Sequence, residues 1–226
     1  MKLTYYGHSC FEVEVAGKRL LFDPFITPNP LAAKIDLSTI KPDYIFLSHG
    51  HFDHVADVEV IARQLEAVVV GCFEVVQWFQ KKGLEKTFAM NVGGSCNFEF
   101  GRVTVTNAIH SSSMPDGSYG GQPGGFLIKT NEGSFYYSGD TALTHDMKMI
   151  AAAEPLKFAL LCIGDCFTMG INDAITAASW IGCKEIVGVH YDTFPPIKID
   201  QAQARELFQN AGCKLHLMAI GTTLSF

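Results

Sequence analysis

The chain has 226 residues, 48% hydrophobic and 18% charged, with a formal net charge of −6, which is enough apolar material for one sizeable core in a single unit over residues 1–226. Its 17 basic residues form no run longer than Lys81-Lys82, so a nucleic-acid partner is not expected and a small-molecule substrate is favoured. No apolar run approaches the roughly 20 residues needed to span a bilayer. No secretion signal is visible, and seven scattered cysteines, at 10, 72, 96, 162, 166, 183 and 213, read as reduced core thiols of a cytoplasmic protein.

Residues 2–22 read as a β-meander, because Phe11, Val13 and Val15 alternate with Cys10, Glu12 and Glu14 and the Ala16-Gly17-Lys18 stretch supplies a turn. Asp23-Pro24 ends the third strand, since proline has no amide donor for a ladder. A Pro-rich surface loop follows through residue 42, with one helical turn; its Phe25, Ile26 and Leu31 suit a subunit contact in a homo-oligomer or a pocket lid. The apolar run Tyr44-Ile45-Phe46-Leu47 is a strand, and residues 55–66 have helical periodicity through positions 58, 61, 62 and 65, with the helix N-terminus aimed at the residues between.

Residues 67–70 then form a short buried strand, 74–82 a helix closed by Gly83, and 96–109 a hairpin turning at Gly101-Arg102 with Val103, Val105 and Ile109 on its buried face. Residues 111–125 hold five glycines, four serines and two prolines and cannot fill a core, so they form a loop. Strands at 126–128 and 135–137, a helix at 147–153, a strand at 158–163, a helix capped by Asn172, a strand at 185–189, a helix from Asp200 to Ala211 and a last strand at 215–220 complete the chain. Strands followed by helices in each half predict two sheets face to face with helices outside. The C-x3-C pair Cys162 and Cys166 reads as packing, because a zinc ribbon uses C-x2-C.

The densest chemistry is His49-Gly50-His51-Phe52-Asp53-His54. Three imidazoles and a carboxylate on one strand-to-helix turn repel one another once two histidines are protonated, so a bound cation is the arrangement that makes sense of them. His110, Asp140 and His190 also close apolar strands, with Asp165 between the last two, and ligands at the same ends of neighbouring strands can meet in space. Asp165 either orients a ligand or caps a turn. His8 is a candidate facing substrate or supporting a ligand. His145 and His216 read as structural.

These motifs, with Tyr6-Gly7-His8-Ser9-Cys10-Phe11, Ser138-Gly139-Asp140-Thr141 and His190-Tyr191-Asp192-Thr193-Phe194-Pro195, resemble the metallo-β-lactamase superfamily over the whole chain. The likeness is to a subgroup of short, mostly uncharacterised metal-dependent hydrolases related to the ascorbate-6-phosphate lactonase and N-acyl-phosphatidylethanolamine phospholipase D types. The resemblance implies an α+β fold, the four-layer αββα sandwich. It implies two divalent metal ions: His49, His51 and His110 on one, Asp53, His54 and His190 on the other, Asp140 between. Zinc suits the ligands best, with manganese, iron or nickel as alternatives; a glutamate stands where this chain has His51 in the flavo-di-iron reductases, which disfavours redox iron.

The implied activity is a binuclear hydrolase whose bridging hydroxide, oriented by Asp53 and assisted by His8, cleaves an ester, lactone, amide or phosphodiester. Two other readings compete: an RNA-processing nuclease of the same fold, which predicts a basic face that the sequence lacks, and a non-catalytic metal-binding protein.

Overall fold

Period-two alternation sets the architecture: on β2 (Cys10–Val15), β3 (Lys18–Phe22) and β4 (Tyr44–Phe46), successive side chains face opposite sides of a sheet, and both sides are buried. In a computed structural model that describes residues 1–153 and 155–226, β1 (Lys2–Gly7), β2 and β3 form an antiparallel meander. Parallel strands β4, β5 (Val68–Gly71) and β6 (Thr87–Ala89) extend it.

The second sheet repeats this plan. Strands β7 (Ser95–Phe98), β8 (Gly101–Asn107), β9 (Gly124–Thr130) and β10 (Gly133–Tyr137) are antiparallel, and β11 (Leu156–Cys162), β12 (Glu185–Val189) and β13 (Lys214–His216) continue in parallel. With β14 (Thr223–Ser225) paired to β1, each sheet has seven strands. The fold is the αββα sandwich.

Between the sheets lies an aromatic core. Phe11, Phe22 and Phe46 are cross-strand partners, with ring centroids 4.6 and 5.1 Å apart. Phe126, Phe135, Tyr137 and Phe158 meet them from the second sheet, and each fully buried ring contributes about 2 kcal/mol of hydrophobic stabilisation. The odd-numbered neighbours Leu21, Ile45 and Val69 face outward, under α2 (Val58–Leu65) and α3 (Phe73–Lys81). The second sheet's outer face packs on α4 (Met147–Ala153), α5 (Ile171–Trp180) and α6 (Gln201–Asn210).

Several expectations are corrected. The helix expected over residues 55–66 is two helices, because α1 (Phe52–Val55) starts inside the histidine turn and Asp57 restarts the chain as the N-cap of α2. Asp57 is buried and accepts from the amides of Ile26 and Thr27 at 2.6 and 2.9 Å, a demand that apolar periodicity does not register. The hairpin turns at Glu99-Phe100, not Gly101-Arg102, and Ile109 is 53% exposed because the ladder stops at Asn107. Gly170, not Asn172, is the N-cap of α5. The last strand, expected at 215–220, is two: β13 ends at His216 and the chain crosses to the first sheet as β14. Phe25 and Ile26 are buried within the chain, which leaves only Leu31 of that trio exposed.

Candidate metal centre

All the strands that feed the site run the same way. In the first sheet β2 is antiparallel to β1 and β3, and β4 is parallel to β3, so the C-terminal ends of β1, β3 and β4 share one edge. The same reasoning puts the ends of β8, β10, β11 and β12 on one edge of the second sheet. Two backbone hydrogen bonds close these edges together: Gly124 N–H donates to Ser48 O and His190 N–H to His8 O, both at 3.0 Å.

On that edge the structure brings together eight of the nine side chains singled out in the sequence. His49, His51 and His110 offer ligand atoms within 4.8 Å of one another, as do His8, Asp53, His54 and His190, and as do His49, His54 and Asp140. His49 Nε2 and His51 Nδ1 are 2.9 Å apart. Asp140 Oδ2 lies 2.9 Å from His190 Nε2, 3.3 Å from His54 Nε2 and 3.8 Å from His110 Nε2, between the two histidine groups. His49, His54, Asp140, His190 and His8 are buried, whereas His51, Asp53 and His110 reach solvent and form the mouth.

The ninth, Asp165, stands apart. It is exposed, and its carboxylate accepts from the Cys166 amide at 2.8 Å within a tight turn. Cys162 is buried and Cys166 exposed. His145 packs its exposed ring on Trp180, and His216 pairs with Glu185.

Asp23, which sequence reasoning treated only as a strand terminator, organises the cluster. Fully buried at the end of β3, it accepts from Ser48 N–H at 2.8 Å, Ser48 Oγ at 2.5 Å, Tyr137 OH at 2.6 Å and His54 Nδ1 at 2.8 Å. A carboxylate only accepts, so His54 carries a proton on Nδ1 and turns Nε2 inward. Ser48 spends its own proton on Asp23 and therefore accepts from His49 Nδ1 at 3.0 Å, which leaves His49 Nε2 as the inward ligand atom. One carboxylate thus fixes the tautomers of two histidines. The available signal was position: Asp23 follows an apolar strand as His49 does.

The charges fit a cation. Burial opposes a charge on His54, yet Asp140 and Asp23 overcome it and push its pKa well above the usual imidazole range. Burial also works to raise the carboxyls of Asp140 and Asp53. Neighbouring histidines outweigh it, His190 and His54 for Asp140 and His54 with His8 for Asp53, and hold both carboxyls below the usual carboxylate range. His49, His51 and His110 are held below the usual imidazole range, chiefly by burial, and are neutral with lone pairs to offer. His54 Nε2, Asp140 Oδ1 and His190 Nδ1 are buried without a hydrogen-bond partner. Two of these, His54 Nε2 and Asp140 Oδ1, belong to the converging set, into which His190 turns Nε2, and a cation would satisfy such atoms, so the residues fit a metal.

The second tier is equally specific. His8 donates from Nε2 to Asp53 Oδ2 at 3.0 Å, and its Nδ1 lies 3.0 Å from Thr193 Oγ1. Burial, only partly opposed by the bond to Asp53, lowers its pKa to about 4. Ser112 Oγ accepts from Gly50 N–H at 3.0 Å and donates to Gly120 O at 2.8 Å, tying the Gly-rich loop to the histidine turn.

Residues 2–190 match the Beta-lactamase superfamily domain. Fold and site together define a protein of the metallo-β-lactamase superfamily. The chain is 48% identical over 224 residues to a UPF0173 metal-dependent hydrolase of Methylacidiphilum infernorum. It is 50% identical over 224 residues to one of Flavobacterium johnsoniae, and each pair aligns over 99% of both chains. Igni18, a novel metallo hydrolase from the hyperthermophilic archaeon Ignicoccus hospitalis, superposes with a TM-score of 0.89 at 34% identity, over 100% of this chain and 98% of its own. The chain belongs to the UPF0173 metal-dependent hydrolases. Among the described residues no helix is long and apolar enough to cross a membrane.

Proposed function

We propose that the chain is a binuclear hydrolase that cleaves an ester, lactone, amide or phosphodiester bond of a small molecule. The observation that carries this reading is the position of Asp140 Oδ2, 2.9 Å from His190 Nε2 and 3.8 Å from His110 Nε2, one histidine from each donor group. His49, His51 and His110 would hold one divalent ion, Asp53, His54 and His190 the other, and Asp140 would serve both. Zinc suits five imidazoles and two carboxylates, and manganese, iron or nickel would be accepted. Such ions would supply a water of near-neutral pKa and would polarise the oxygen of the scissile group.

The chain's own groups do the rest. Asp53, held ionised and with its side chain 24% exposed at the mouth, orients the attacking water. His8 fixes the Asp53 carboxylate through Nε2–H; because burial keeps this imidazole neutral, His8 is a positioning residue rather than a proton donor. The buried floor of His49, His54 and Asp140 excludes bulk water from the inner side. Seven free cysteines accord with a reducing cytoplasm.

The test is turnover of a panel of esters, lactones and phosphodiesters by metal-loaded protein. The wild type should turn over at least one class, and His51→Ala should lower kcat/KM about a hundredfold or more. A fully loaded protein inert to the panel would favour the non-catalytic reading.

A further inference from the structure

The edge that carries the metal centre has an unusual composition. The strand-end segments 7–10, 23–29, 48–55, 107–114, 138–145, 163–170 and 190–197 contain no lysine and no arginine. None of the ion pairs made by the eight clustered site residues involves a lysine or arginine among the described residues. A carboxylate or phosphate on a substrate, remote from the reacting bond, is ordinarily met by an Arg fork or a Lys ammonium. Within those segments it would meet neither; Lys198, directly after the last of them, lines a cavity with Asp165 and Cys166.

What the edge offers instead is apolar. Phe52, between ligand candidates His51 and Asp53, is 54% exposed, and Ile109, next to His110, and Phe167 are each 53% exposed. The turn that carries Phe167 is tied to this edge, since Met169 N–H donates to Thr141 O at 2.9 Å beside Asp140, and Thr141 Oγ1 in turn accepts from Ile109 N–H at 2.9 Å.

Phe52 is not a stray surface ring. Its centroid is 5.9 Å from Phe25, which is buried and lies 5.6 Å from His8 and 6.3 Å from Phe194. Phe194 packs edge-on at 5.4 Å against His8, the residue that holds Asp53. Phe25, buried, therefore braces two more accessible rings, Phe52 and Phe194, beside the most exposed carboxylate of the centre. Single exposed apolar residues are common and carry no meaning. Aromatic rings packed against the candidate ligands, on strand ends without lysine or arginine, match the lining of small-molecule sites.

We propose that the portion of the substrate remote from the reacting bond is a flat, uncharged apolar group, an aryl group above all, seated against Phe52 and Phe194, the rings that Phe25 braces. This rests on the hydrolase reading and narrows it: the rings select the acyl side by shape and apolarity, and the strand ends beside them give a remote anion no lysine or arginine.

The experiment compares 4-nitrophenyl acetate, phenylacetate and hemisuccinate, which share one scissile bond and one leaving group, using the full metal-loaded chain. The phenylacetate should exceed the acetate in kcat/KM by about tenfold, and the hemisuccinate should not exceed the acetate. Phe52→Ala and Phe194→Ala should each cut the phenylacetate-to-acetate ratio by about threefold to tenfold, while Val60→Ala, an exposed apolar residue on α2, leaves the ratio as it is.

A preference for the hemisuccinate, or a ratio unmoved by both Phe variants, would overturn the proposal. Binding of phenylacetamide and of succinamate, followed by NMR at the Phe52 and Phe194 amides, reads the aryl seat without turnover. If no ester is hydrolysed, the ester reading fails, and the aryl seat still stands or falls on whether phenylacetamide binds more tightly than succinamate and loses that advantage in Phe52→Ala.

Discussion

Asp23 shows how much of the site one buried carboxylate can set. Its two oxygens receive four donors, from Ser48 twice, Tyr137 and His54, and no water reaches it. Removing it leaves buried donors unsatisfied at roughly 1–3 kcal/mol each, and frees His49 and His54 to adopt the wrong tautomer. Asp23→Ala should weaken metal binding about 10- to 100-fold in competition with a chromophoric chelator. Unchanged affinity would mean that the two tautomers are fixed by something else. The candidate ligands were legible because four of them crowd one hexapeptide and the others each close an apolar strand. Asp23 was not, because an aspartate before a proline is also the ordinary way to end a strand, and only the three-dimensional arrangement puts Tyr137, 114 residues away, on its oxygen.

At the scale of elements, the site depends on the two sheets staying shut along one edge. Gly139, after β10, has φ +60°, and a Cβ there would sit 2.6 Å from Gly124 O and 3.1 Å from Ser48 Cβ. Only glycine allows that approach, and it keeps the Gly124–Ser48 hydrogen bond between the sheets. Gly139→Ala combines a left-handed backbone cost with overpacking, so it should lower the unfolding free energy by about 2–4 kcal/mol, read from urea midpoints, and reduce metal retention with it. A variant as stable as the wild type would show that the edge is not closed there.

Strands and most helices were legible from periodicity, since both rest on local alternation. The break between α1 and α2 was not, because apolar spacing runs on through residues 55–66 while the restart is dictated by Asp57 reaching the 26–27 backbone. Nor was the crossing from β13 to β14, which is decided by a partner strand at the opposite end of the chain.

Taken whole, the molecule is two seven-stranded sheets of similar plan whose strand ends converge on groups that a cation would satisfy. Two carboxylates facing one buried His54, with orphaned atoms on His54 and Asp140, should bind metal in the folded chain only. A ligand held at about a thousand times its Kd adds about 4 kcal/mol to stability, so chelation should lower Tm by about 10 °C. An unchanged Tm after complete stripping would deny that link between folding and metal.

The most direct measurement is metal content per chain. Purified wild type, loaded and then freed of excess ion, should hold two equivalents by elemental analysis. His51→Ala and His190→Ala, one from each donor group, should each hold one, and Asp140→Ala fewer than two. A folded wild type that holds no metal, or a content unchanged by all three substitutions, would contradict the claim that strand ends of both sheets close on a pair of cations.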